Sequence, residues 1–174
     1  MADRLQQLVD FGPGRMVVQR LGLPQPAHLR RYEPGQPLLT GPAIVGGTGR
    51  LIDTAKRVLS SAGARHRKTA PAEGNVAALV FDATALKSPE DLKALYDFFS
   101  PLVRRVDASG RVLVLGTPPA ETGDAPEHIA QRSLEGFVRS LAKELRRGAT
   151  AQLVHVSPGA EDHVESTLRF LLSA

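Results

Sequence analysis

The sequence predicts an α/β domain, a parallel sheet of about five strands between two layers of helices, preceded by a proline-rich arm. Three observations lead there. From residue 43 onward, short apolar runs alternate with amphipathic stretches, which is how strands joined by crossover helices read. The run VAALVFD at 76–82 is apolar without alternation, as a strand covered on both faces must be. The run AIVGG at 43–47 ends in glycines just before an amphipathic segment, as a tight strand-to-helix turn requires.

The chain divides at residue 42. Residues 1–42 form a helical and proline-rich arm, with short helices expected over Arg4–Val9 and Arg15–Leu21 around a Gly-Pro-Gly break at 12–14. Prolines at 24, 26, 34, 37 and 42 then forbid long regular structure. Such an arm either packs on its own domain or reaches a partner domain.

Residues 43–174 carry the alternation. After the first strand, a helix over Arg50–Ala62 puts Leu51, Ile52, Ala55, Val58, Leu59 and Ala62 on one face, and Gly63 closes it. Residues 64–75 are polar, with room for a short edge strand at most. After the 76–82 strand, Ser88-Pro89-Glu90-Asp91 opens a helix that extends to Val103 and buries Leu92, Leu95, Phe99, Leu102 and Val103. RVLVLG at 111–116 is the next strand. A helix over 128–147 follows, with Ile129, Leu134, Phe137, Val138, Leu141 and Leu145 on its apolar side. QLVHV at 152–156 and a closing helix over 163–174 complete the pattern. Four or five parallel strands fit a flavodoxin-like sheet or a trimmed Rossmann-like one.

Composition excludes several functions. Apolar residues make up 42% and charged residues 23% of the chain, as in ordinary globular domains. There is no cysteine, hence no disulfide, thiolate metal site or thiol nucleophile, which fits a cytoplasmic location. No apolar run approaches the roughly 20 residues of a membrane span, and the first residues lack the apolar core of a signal peptide. The net charge of +4 is spread over scattered arginine doublets, and aromatics are only 5%. Neither nucleic acid nor a membrane is therefore an expected partner. His28, His66, His128, His155 and His163 show no metal-ligand spacing, and no metal is expected.

The stretch 131–147, QRSLEGFVRSLAKELRR, resembles the helix that carries the Tyr-x-x-x-Lys pair of short-chain dehydrogenases/reductases. AIVGGTGR is similar to that family's first strand and glycine turn, and ALVFDAT to the strand that normally ends Asn-Asn-Ala-Gly. GRVLVLGT is similar to the strand that presents the catalytic Ser, and STLRFLLSA to the helix before the family's final strand. With FGPG, LGLPQP and LRRYEPGQP included, nearly the whole chain resembles the N-terminal domain of high-molecular-weight 3-oxoacyl-acyl-carrier-protein reductases. In these, a degenerate flavodoxin-like domain precedes an active ketoreductase domain.

The resemblance implies a scaffold without its chemistry. Aligned on Leu134-Glu135-Gly136-Phe137, Gln131 stands at the Lys position and Glu127 at the Tyr position. Thr117 stands at the Ser position. Of the two tyrosines, Tyr32 is in the arm and Tyr96 in another helix, and neither is followed four residues later by Lys. Asn75, the one asparagine, precedes a strand. The loop Gly46-Gly47-Thr48-Gly49-Arg50 is shorter than the family's phosphate loop, with Leu51 where another glycine would continue it. It reads as a vestigial turn, with Arg50 able to assist an anion.

The expected role is thus a non-catalytic domain with no catalytic residue and no cofactor of its own. It would pack on a C-terminal ketoreductase domain that uses NAD(P)H, or pair as a homodimer through the 131–147 helix. Two alternatives remain. One is a nucleotide- or flavin-binding module using the strand ends at Asp82 and Thr117. The other is a reductase with rearranged chemistry at Glu127 or Thr117. Asp82 and Thr117 also echo a phosphoacceptor receiver, but that fold needs an acidic pair after its first strand and a Lys after its last. This chain has glycines and Ser157-Pro158 there.

Overall fold

The computed structural model describes residues 27–173, together with Met16, Arg20 and Leu21. The helix expected over 4–9, the break at 12–14 and most of the helix expected over 15–21 lie outside the described residues.

Five strands form one parallel sheet: β1 (Ala43–Gly47), β2 (His66–Arg67), β3 (Val76–Asp82), β4 (Val106–Gly116) and β5 (Thr150–His155). Their order is β2-β1-β3-β4-β5. This is the flavodoxin-like order, in which the chain reverses direction between β1 and β3 and leaves a crevice at their carboxyl ends. β3 is buried along its whole length, as its unbroken apolar run demands.

Helices α1 (Ile52–Ser61) and α4 (Glu165–Leu172) cover one face. They build a core of Leu51, Val58, Leu59, Val80, Leu113, Leu115 and Leu168. Helices α2 (Lys93–Phe99) and α3 (Ala125–Glu144) cover the other, around Leu79, Phe81, Phe99, Val112, Val114 and Leu134. The arm from residue 27 packs on this same domain. Leu39 enters the first core, the Arg30 amide donates to Ser109 Oγ at 3.1 Å, and a side chain at Gly148 would strike Leu29.

Several boundaries differ from the sequence reading. The helix expected over 88–103 is a 3₁₀ turn at Pro89–Leu92, then α2, then a second 3₁₀ turn at Val103–Arg105. Pro101 lacks the amide that a continuing helix would donate back to Asp97. Leu92 and Val103, in these two 3₁₀ turns, are only half-buried. β4 starts five residues earlier than expected, because a register shift opposite Val76–Ala78 and a left-handed Ser109 (φ 55°) carry the polar segment into the ladder. α1 starts later than expected, since residues 50 and 51 belong to the turn. α3 starts earlier, where Asp124 caps it by accepting from the Glu127 amide at 2.9 Å. It ends before Arg147 and Gly148, both at positive φ. Ile129, expected on the apolar side, is 51% exposed.

Truncation separates these two positions. Leu134→Ala, which empties a fully buried site, is expected to cost about 2–5 kcal/mol in urea unfolding. Ile129→Ala should stay within about 0.5 kcal/mol of the parent.

Candidate functional site

The crevice at the carboxyl edge is where open sheets of this type bind ligands. It holds a cleft of about 550 Å³ whose lining includes Thr48, Gly49, Arg50, Thr84, Lys87, Thr117 and Glu127. Five of the positions singled out in the sequence, Thr48, Gly49, Arg50, Thr117 and Glu127, are therefore brought together. Gln131 lies beneath them, fully buried. Gly47 faces a smaller neighbouring hollow with Phe81, Asp82 and Phe98. Tyr96 is remote from the edge. It lines a groove with Phe99, Phe137 and Leu141 between α2 and α3.

Gln131 spends both side-chain N–H groups and its carbonyl oxygen on the strand ends. Its Oε1 accepts from the Thr117 amide at 2.8 Å. Its Nε2 donates to the carbonyls of Ala83 at 2.8 Å and Leu86 at 3.0 Å. One acceptor and two donors are needed here, and an amide side chain offers both. A lysine has donors only.

Glu127 is held as an anion. Its carboxylate accepts from Lys87 Nζ at 2.5 Å and from the Gly123 amide at 3.1 Å. The Lys87 hydrogen bond, with help from the Gly123 amide, holds its pKa below the ordinary glutamate value despite burial. A general acid at neutral pH needs the opposite shift. The Thr117 hydroxyl accepts from the Arg50 guanidinium at 3.3 Å. That guanidinium also donates to the Val156 carbonyl and pairs with Glu161 at 2.7 Å. The amides of Glu161 and Gly159, with Arg50, hold the Glu161 carboxyl below the usual range.

The glycine loop is accounted for by contacts within the chain. Gly47 sits at φ 88°, and a Cβ there would strike the Asp82 backbone. A Cβ at Gly46 would enter the Phe98 ring, and one at Gly49 would meet Thr84 and the Asp82 carboxylate. The amides at the start of α1 are also taken: Leu51 N–H donates to Asp82 Oδ2 at 2.6 Å and Arg50 N–H to Thr84 Oγ1 at 3.0 Å. A dinucleotide phosphate needs free amides at this point. The residues present do not fit that group.

The sequence did not single out Thr84, Lys87 or Glu161. Thr84 carried a signal, a hydroxyl two residues past a buried strand-end carboxylate. Lys87 and Glu161 carried none, because their partners lie 40 and 111 residues away in the chain. His155 ends β5 and is exposed. Among the described residues no cluster of His, Asp or Glu has a metal-holding arrangement, and no helix is long and apolar enough to cross a membrane.

Comparison with solved structures places the fold. Two double variants of a Serratia marcescens short-chain dehydrogenase/reductase superpose with TM-scores of 0.54 and 0.56 at 20% and 21% identity, each covering 80% of this chain and 92% of theirs. BdcA, solved in complex with NADPH, superposes with a TM-score of 0.52 at 17% identity, covering 78% of this chain and 88% of its own. The chain has the Rossmann-like fold of these structures. No family model and no curated protein matches it.

Two substitutions test the strand-end bonding. Gln131→Lys leaves the Thr117 amide without its acceptor and buries a cation, and should destabilise by about 3 kcal/mol or more. Glu127 has a folded pKa below its unfolded value, so its contribution is full above pH 4.5 and fades as pH falls through the lower folded value. Glu127→Gln should remove that part of the acid limb in a pH series of urea midpoints and leave the limb shallower than the parent's.

Proposed function

We propose that this chain is a non-catalytic, reductase-like domain that packs on an NAD(P)H-dependent ketoreductase domain acting on 3-oxoacyl thioesters. The observation that carries the reading is the bonding of Gln131 and Glu127. The two positions that would handle the proton in a short-chain reductase are occupied by a neutral amide tying strands together and by an ion-paired carboxylate. Neither is free to donate a proton at neutral pH. Thr117, at the position of the carbonyl-holding Ser, is 3% exposed and engaged by Arg50.

The surfaces away from the edge support a packing role. Gly136 lies on the open face of α3 with nothing within 4 Å of where a Cβ would stand, so another helix can approach closely. Beside it runs a groove of about 510 Å³ lined by Tyr96, Phe99, Phe137 and Leu141. The reading assigns this α2–α3 face to the ketoreductase domain, or to a second copy.

Purified chain incubated with NADPH and acetoacetyl-coenzyme A should oxidise the nucleotide no faster than buffer does. Turnover near the typical enzymatic range of about 1–1,000 s⁻¹ would overturn the proposal. Binding of a nucleotide or flavin without turnover would instead support a ligand-binding module.

A further inference from the structure

We infer that Asp82 and Thr84 are the two residues that deny this loop a phosphate, by giving the start of α1 an anion of the chain's own. The inference rests on the reading of the domain as non-catalytic and names what closes its nucleotide edge.

Four observations converge. Asp82 is 1% exposed, and its carboxylate is bonded by the Leu51 amide at 2.6 Å, the Thr84 amide at 3.0 Å and the Thr84 hydroxyl at 2.7 Å. Among the described residues these bonds come from amides and a hydroxyl, not from a cation. A buried carboxylate is costly without compensation, and the positive end of the α1 dipole supplies it. The Thr84 hydroxyl donates to Asp82 and accepts from the Arg50 amide at 3.0 Å, so two successive amides of the helix start are spent.

The third observation is steric. Thr84 and Asp82 fill the space over Gly49, and the Asp82 backbone closes on Gly47. The fourth is the pattern the strand resembles. Where that pattern reads Asn-Asn-Ala-Gly, this chain reads Phe81-Asp82-Ala83-Thr84 across the end of β3. A neutral amide has become a charge, and a bare backbone position has gained a hydroxyl. A phosphate arriving here would meet an anion already seated on the donors it needs.

The test uses inorganic pyrophosphate, the anionic part of a dinucleotide that free amides at a helix start would hold. Calorimetric titration is run on the parent chain and on the Asp82→Asn/Thr84→Gly double variant, with amide spectra recorded in parallel. The double variant should bind at least about tenfold tighter than the parent, with shifts centred on residues 47–52. In the parent, the Arg50 and Leu51 amides should not move. Movement of those amides in the parent overturns the inference. So does a double variant that unfolds cooperatively yet binds no better than the parent. Should the double variant not fold, the shape-conserving Asp82→Asn decides on the same criterion, together with the parent spectra. Ketone turnover by the parent with unmoved amides would sink the non-catalytic reading and leave this inference standing.

Discussion

The Asp82 carboxylate, 2.6 Å from the Leu51 amide, is the contact on which the carboxyl edge depends. β1 and β3 are paired in register from Ala43–Ala78 to Gly47–Asp82, so the last residue of one strand lies beside the last of the other. At that point the chain must leave β1, turn and start α1 with its first amides unpaired. Asp82 meets that need from the neighbouring strand. It can do so because Gly47, at φ 88°, and Gly49 lie close enough for any side chain to collide. The glycines therefore serve the packing of the turn.

The next pair of strands is joined by an equivalent device. Gln131, from the buried side of α3, reaches the Ala83 and Leu86 carbonyls past the end of β3 and the Thr117 amide past the end of β4. Arg50 then spans from the α1 turn to Val156, Thr117 and Glu161. Groups that a parallel sheet leaves unpaired at its carboxyl edge are thus consumed by three side chains from three elements. A buried polar group bonded in this way rigidifies its surroundings and is costly to remove one partner at a time.

Much of the fold was legible because the pattern is local. The run at 76–82 could only be a strand covered on both faces, and it is buried throughout. The alternation gave the parallel sheet and the two helical layers. Boundaries were less legible where one residue outweighs a pattern. Pro101 ended α2 against an apolar periodicity that continued to Val103, and a left-handed Ser109 let a polar segment join β4. In the site, the positions of Thr117, Glu127 and Gln131 were legible through the resemblance, and the structure puts all three at one edge. What they bond to was not. Lys87 reaches Glu127 across 40 residues and Arg50 reaches Glu161 across 111, and no spacing rule links such pairs.

Reactivity and satisfaction compete at such an edge. A general acid needs a proton it can release, and a phosphate loop needs amides that are still free. Here Glu127 is ionised against Lys87, the Leu51 and Arg50 amides are bonded, and both side-chain N–H groups of Gln131 are taken. The unspent capacity of the described residues lies elsewhere. Edge strand β2 has two residues, between Arg65 and Lys68, and is protected by brevity and charge. Edge strand β5 has six uncharged residues, five of them only half-buried. It also carries Gln152, whose Oε1 is the one buried side-chain polar atom without a partner among the described residues. An edge of that kind, together with the open α2–α3 groove, is costly to leave bare. Among the described residues the unpartnered side-chain atom thus lies on a flank of the sheet and the bonded groups at its crevice, the reverse of what a releasable proton and open phosphate amides at that crevice would need.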